Sequence, residues 1–201
     1  MQIISNVNRF RYGILPWRMS LSIPGKIAMM CGMAALTGLL GQVRIPLPFT
    51  PVPITGQVMA VLLAGVVMGK WWGGGSMALY AGLGIAGLPW FTGFSSGLGA
   101  TGGYILGFIP ATLFLGHFVD THVKFRRLLP LLGLMLVATM LYYIPGVAWL
   151  GLWLKSTGTT GTGIAGLLAL GVGPFIVVDV VKAVLAGLIA FAIVPRQDKS
   201  A

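Results

Sequence analysis

Apolar residues in this chain come in blocks of helix length with almost nothing charged inside them, and that arrangement leaves one compatible solvent, the lipid bilayer. Blocks lie near residues 27–42, 55–69, 72–89, 103–119, 128–153 and 167–194, against the ~17–25 residues that carry an α-helix across the hydrocarbon core. Charged residues make up 8% of the chain and hydrophobic ones 57%, where an average soluble domain is about 25% charged. The expected fold is an all-α integral membrane protein with six transmembrane helices. The second and third blocks are short, and in transporters short or interrupted segments tend to flank the substrate site. The fifth is overlong and contains Pro145-Gly146, which is expected to kink it or end the regular helix early, leaving a seven-segment alternative.

Basic residues set the orientation. With the N-terminus inside, the inner segments contain Arg9, Arg11, Arg18, Lys26, Lys70, Lys124, Arg126, Arg127, Arg196 and Lys199, and the outer loops only Arg44 and Lys155. Cytoplasmic loops hold the Lys/Arg excess, so both termini are expected in the cytoplasm of a multi-pass protein of the cell membrane. Residues 1–26 read as a retained basic leader at the cytoplasmic surface, 27–194 as the membrane domain and 195–201 as a cytoplasmic tail. The leader has no small-residue cleavage site of the signal-peptide kind. The net charge of +10 follows from this topology and does not indicate nucleic acid, because it is spread over short loops. With a single cysteine, Cys31, no internal disulfide or thiolate metal site can form.

One span breaks the apolar rule. Residues 175–191 read FIVVDVVKAVLAGLIAF and hold Asp179, one of only three acidic residues in the chain, with Lys182 three positions later. Residues at i and i+3 share a helix face, and ionisable groups at membrane depth are functional candidates by default. An acid beside a base offers an acceptor for N–H groups and a cation for a carboxylate. The bland alternative is a self-satisfied ion pair that only fixes the helix.

Two further stretches accompany the pair. RIPLPFTPVPITGQ, residues 44–57, has prolines at 46, 48, 51 and 53. They forbid a helix and remove ladder donors, so the segment is expected to run extended or polyproline-like. Being hydrophobic, it is expected to fold over the helices and cover a cavity, offering Thr50, Thr55 and Gln57, with a rigid connector as the alternative. GLGATGGYILGF, residues 97–108, places Thr101, Gly102 and Tyr104 at the start of the fourth span. Its paired glycines allow close backbone approach, the first helical turn offers N–H groups suited to an anion, and Tyr104 is available to stack on or bond a ligand. Tight packing at a helix entry is the competing explanation.

Enzymatic patterns fail on placement. Residues 93–97, GFSSG, match the G-x-S-x-G elbow, but His117 and His122 belong to the opposite membrane face, a ~30 Å core away. GVVMGKW, residues 65–71, lacks the spacing and the Ser/Thr of a phosphate-binding loop. No carboxylate cluster exists for a cation, since Asp120 and Asp198 are both cytoplasmic; no cofactor or metal is expected.

Taken together, PFTPVPITGQVMAVLLAGVVMG (48–69), LYAGLGIAGLPWF (79–91), GATGGYILGF (99–108), YIPGVAWL (143–150) and DVVKA (179–183) occur in the order and approximate spacing of the BioY family, the biotin-binding S components of energy-coupling-factor transporters. The resemblance covers residues 26–194; Ala100 stands where that family commonly has proline. It implies a non-enzymatic six-helix subunit that captures biotin from outside. It also implies ligand-pocket roles for Asp179 and Lys182; by their own chemistry the first is expected to accept from the ureido N–H groups and the second to meet carboxylate or carbonyl oxygen, with the end of the ligand that each meets left open. The implied partners are a transmembrane coupling protein and two cytoplasmic ABC-type ATPases. Ala28-x-x-x-Gly32 on the first helix is where the family's coupling-protein face would fall, with Ala34-x-x-x-Gly38 beside it; small residues at this spacing also serve internal packing. A binding subunit for another small vitamin, a membrane scaffold and an intramembrane enzyme are the other readings.

Overall fold

The computed structural model describes residue 18 and residues 20–159 and 161–194. Most of the leader and the whole 195–201 tail, with Arg9, Arg11, Arg196, Lys199 and Asp198, lie outside the described residues. Among the described residues five helices are long and apolar enough to cross a membrane: α1 (Ile23–Gln42), α2 (Gln57–Ile85), α3 (Gly102–Thr121), α4 (Leu128–Ser156) and α6 (Gly173–Ile193). Between α4 and α6 lies the eight-residue α5 (Ile164–Gly171), and a 3-10 turn, Val123–Arg126, joins α3 to α4. Helix α1 starts where its sequence dictates: Ser22 accepts from the Gly25 N–H and Pro24 fills the first turn, a position where a missing N–H costs nothing.

Helix α2 contains the second and third blocks and is not one rod. Gly69 sits inside it at φ 75°, ψ −172°, a conformation essentially reserved for glycine. The two arms, 57–68 and 70–85, fold back on each other there, because the Gln57 amide reaches the Tyr80 hydroxyl. In a straight helix these residues would stand ~35 Å apart. The turn is clamped by Asp120 on the last turn of α3, whose Oδ2 accepts from the Lys70 N–H at 3.1 Å and whose Oδ1 pairs with Arg18 at 2.8 Å. Arg126 closes the same end, donating to the carbonyls of Val119 and Asp120.

Helix α4 overturns one of the two outcomes expected at Pro145-Gly146, an early end. It runs as helix from Leu128 to Ser156 with Pro145 inside it, so the regular structure does not stop early. A proline can stay in a membrane helix when neighbours re-satisfy and pack its surroundings. Here Gly103 of α3 lies directly on the Pro145 carbonyl and Gly107 on its ring.

The last block, expected as one span over 167–194, is instead split at Val172 (φ −129°, ψ −52°) into α5 and α6. Pro174 is the cause. Its missing N–H abandons the Leu170 carbonyl, and the Phe175 N–H bonds Val172 in place of Gly171. Both freed carbonyls find side-chain donors: the Thr50 hydroxyl at 2.8 Å to Leu170 and the Tyr104 hydroxyl at 2.8 Å to Gly171.

The proline-rich segment is extended, as expected, but it also pairs with itself. Strands β1 (Arg44–Leu47) and β2 (Thr50–Thr55) form an antiparallel hairpin in which Arg44 faces Thr55 and Ile45 faces Ile54, with an irregularity at Pro46. Prolines are tolerated because the two-stranded sheet is all edge. The hairpin caps the end of the helices opposite the Gly69 turn.

The small-residue patterns on α1 diverge. Ala34 and Gly38 are buried, Gly38 against Trp90, while Ala28 and Gly32 are exposed and nothing lies within 4 Å of the position of a Gly32 side chain. Cys31 is exposed beside them.

Candidate ligand-binding site

Beneath the hairpin lies a cavity of about 50 Å³. The hairpin roofs it with Val52, Pro53, Ile54 and Thr55, and helices α2, α3, α4 and α6 supply the walls. The floor is aromatic. Tyr104 meets the edges of Tyr142 and Tyr143 at ring-centroid distances of 6.5 and 6.4 Å, and Phe108 meets Tyr142 at 5.6 Å.

Asp179 and Lys182 project into this space from the second and third turns of α6, ~9–14 Å along the helix from its start. Lys182 Nζ donates to Asp179 Oδ1 at 2.7 Å. The other carboxylate oxygen, Oδ2, accepts from the Tyr143 hydroxyl at 2.7 Å and from the Tyr142 hydroxyl. Both charged residues are buried. The self-satisfied ion pair weighed from sequence is therefore present, reinforced by two tyrosines that sequence reasoning did not single out. A carboxylate has about four acceptor sites and an ammonium three donors, so the pair keeps capacity for a ligand: about one acceptor site and two N–H groups.

The other candidates separate into two groups. Thr101, Tyr104 and Gln57 line the cavity with the pair, whereas Thr50 and Gly102 do not. Thr101 ends its loop at the α3 N-terminus, and its hydroxyl makes no hydrogen bond among the described residues. Tyr104 offers its ring only, because its hydroxyl serves Gly171. Gln57 is held at both ends: its Nε2 donates to Tyr80, while its Oε1 accepts from Thr55 at 3.1 Å and Thr92 at 3.4 Å. Gly102 does not present its N–H to an anion. It donates to the Gly99 carbonyl at 3.0 Å, and the residue packs on the Trp149 indole.

Sequence reading also passed over Gln42. From the C-terminus of α1 its Nε2 donates to the carbonyls of Gly38, Trp90 and Phe91 and its Oε1 accepts from the N–H groups of Gly93 and Phe94. It fastens the 86–101 loop, where Phe94 has φ 56°, and so places Thr92 at the cavity. Ser95 of the G-x-S-x-G match bonds the Thr92 carbonyl in this loop, while His117 lies in the last turn of α3, ~22 Å along that helix from its start.

Thr50 carries a stability prediction. Removing its hydroxyl deprives the half-buried Leu170 carbonyl of its donor, which typically costs ~0.5–1.5 kcal/mol. Thr50→Val, which keeps the shape, is expected to lower the thermal unfolding midpoint in detergent, and Thr50→Ser is expected to restore most of it.

Comparison with known proteins gives the family. Residues 17–199 match the BioY family. The chain belongs to the BioY family. Among its relatives, “Probable biotin transporter BioY” of Methanothermobacter thermautotrophicus is 48% identical over 140 residues, 67% of this chain and 89% of the relative. “Biotin transporter BioY” of Thermotoga maritima is 34% identical over 73% of this chain and 74% of the relative. A crystal structure described as the S-component for biotin from an ECF-type ABC transporter superposes with a TM-score of 0.73 at 25% identity, covering 86% of this chain and 93% of that one. As a BioY member the chain is a multi-pass membrane protein and a substrate-binding subunit, not an enzyme.

Proposed function

We propose that this protein captures biotin in the cavity beneath the β1–β2 hairpin and serves biotin uptake as the substrate-specific subunit of an energy-coupling-factor transporter. The observation that carries the reading is the buried Asp179–Lys182 pair, held by Tyr142 and Tyr143 among aromatic walls. Biotin combines a ureido head, a thioether ring and an apolar tail ending in a carboxylate. Asp179 accepts from a ureido N–H group, Lys182 meets a carbonyl or carboxylate oxygen, and Thr101, Tyr104 and Gln57 shape the cavity around them. Thr50 and Gly102 act one step removed, holding the α5–α6 break and the α3 entry in place.

In this reading the membrane domain, residues 27–194, crosses six times, the two arms of α2 counting as separate passes. Support comes from the fold-back at Gly69. Further support is the charge asymmetry among the described residues: Arg18, Lys26, Lys70, Lys124, Arg126 and Arg127 at the Gly69 end, against Arg44 and Lys155 at the hairpin end. By the Lys/Arg rule the Gly69 end and both termini are cytoplasmic, and the hairpin faces outward. Energy for uphill transport comes from a transmembrane coupling protein and two cytoplasmic ABC-type ATPases, with Ala28 and Gly32 on the coupling-protein face.

Equilibrium binding of labelled biotin to detergent-purified protein tests the assignment. Wild type is expected to bind saturably. The charge-neutral variant Asp179→Asn/Lys182→Met is expected to stay folded by thermal unfolding and to bind more than a hundredfold more weakly, since each lost hydrogen bond to a charged group is worth ~1.5–3 kcal/mol. Undiminished binding in the folded variant would reduce the pair to a fastening. Wild-type binding of a different small vitamin in place of biotin would overturn the substrate.

A further inference from the structure

Charge balance inside and above the cavity assigns an orientation to the ligand. The buried Asp179–Lys182 pair is already neutral. A ligand carboxylate placed against Lys182 would set two anions against one ammonium in a low-dielectric site, and an uncompensated buried charge is what such sites tolerate least. The cavity floor therefore suits a neutral polar head.

At the mouth the balance is reversed. Arg44 opens strand β1 opposite Thr55, a cavity-lining residue. Cross-strand partners share a face of the sheet, so the Arg44 side chain leaves the hairpin on the same side as Thr55. Its guanidinium lies over Gly93, filling the space that a side chain there would occupy, next to Thr92, which also lines the cavity. Among the described residues the Arg44 side chain has no hydrogen-bond or ion-pair partner. The whole chain has only three acidic residues, Asp120, Asp179 and Asp198. The first is engaged at the opposite end of the helices and the second is the cavity-floor acid. Lys155, the other cation of this end, is the final residue but one of α4, ~18 Å along that helix from Tyr143.

Building on the biotin reading above, we propose that Arg44 is the carboxylate-recognition residue of this protein: the ureido head lies on Asp179 and Lys182, Lys182 meeting the ureido carbonyl, and the carboxylate meets Arg44 at the outer mouth. The guanidinium offers two parallel N–H donors to a carboxylate, a geometry an ammonium lacks. Its exposure leaves it free to engage the acid before the head descends, which makes it a steering charge for entry as well.

The test is a cycle between protein and ligand charge. Equilibrium affinities for biotin and for biotinamide, which is neutral at the same position, are measured with wild type, Arg44→Gln, Lys155→Gln and Asp179→Asn/Lys182→Met, each with a thermal-unfolding control. Wild type is expected to bind biotin at least tenfold more tightly than biotinamide. Arg44→Gln is expected to erase that ratio by weakening biotin alone, to leave the unfolding midpoint unchanged, and to flatten the salt dependence of biotin binding. Lys155→Gln is expected to keep the ratio, and the floor double variant to weaken both ligands by a similar factor. The orientation is overturned if Arg44→Gln weakens both ligands equally or neither, or if the floor double variant is the one that erases the ratio. A folded wild type that binds neither ligand overturns the biotin reading itself, and the orientation falls with it.

Discussion

Replacing Lys182 alone by methionine is expected to cost about 3–5 kcal/mol of stability, more than removing both charges of the pair together. Breaking one half of a buried ion pair leaves the partner charge without compensation, whereas replacing the whole pair by groups of similar volume is often neutral. In this protein the stranded group would be the Asp179 carboxylate, kept in place by Tyr142 and Tyr143 but deprived of its cation. Thermal unfolding of wild type, Lys182→Met and Asp179→Asn/Lys182→Met in one detergent checks the order. A double variant that loses as much as Lys182→Met or more would overturn the order, and a double loss equal to the sum of the Lys182→Met and Asp179→Asn losses would mean that the two charges are not coupled. The comparison also separates roles, since the double variant is expected to be stable and ligand-blind.

The second large effect is expected at Gly69. Its backbone at φ 75°, ψ −172° strains any residue with a Cβ by ~1–3 kcal/mol. The added carbon would in addition meet the Asp120 carboxylate and the Arg18 guanidinium, so Gly69→Ala is expected to cost roughly 3 kcal/mol or more. Gly82→Ala is the matched control. Gly82 lies in the second arm of α2 with nothing within 4 Å of its missing side chain, and there alanine is expected to be neutral or stabilising by up to ~1 kcal/mol. A Gly69→Ala variant that unfolds with wild type would show that the fold-back does not depend on the turn.

Several of these features could be read in the residues alone. The blocks announced the helices, and a lone Asp-x-x-Lys in an apolar run announced a buried polar site. Four prolines in eight residues announced an extended cover. What escaped depended on partners distant in sequence. Tyr142 and Tyr143 read as two more aromatics of an apolar block, because their bond to Asp179 spans 36–37 residues. Gln42 looked like the polar end of a helix, yet its bonds reach a loop about 50 residues on. The split at Val172 was the one local signal left unused: Gly171, Gly173 and Pro174 in four residues spell a break. The length of the apolar block concealed it. Thr50 and Tyr104 were picked out from sequence as ligand contacts because they are polar groups in apolar company. Their hydroxyls answer to the carbonyls that Pro174 releases.

That answer has a kinetic side. The Thr50 bond to Leu170 links residues 120 positions apart and ties the cavity roof to the α5–α6 junction. Lifting the hairpin exchanges this part-buried bond for one to water, at ~0.5–1.5 kcal/mol. By that bond alone the open form falls to between about one part in two and one part in thirteen of the closed form. A ligand entering beneath the roof draws on this minor population, so its apparent affinity is lower than its intrinsic one by the open fraction. The same bond slows its escape. Pro174, by freeing the Leu170 carbonyl at the end of α5, thereby helps set how long a captured molecule stays.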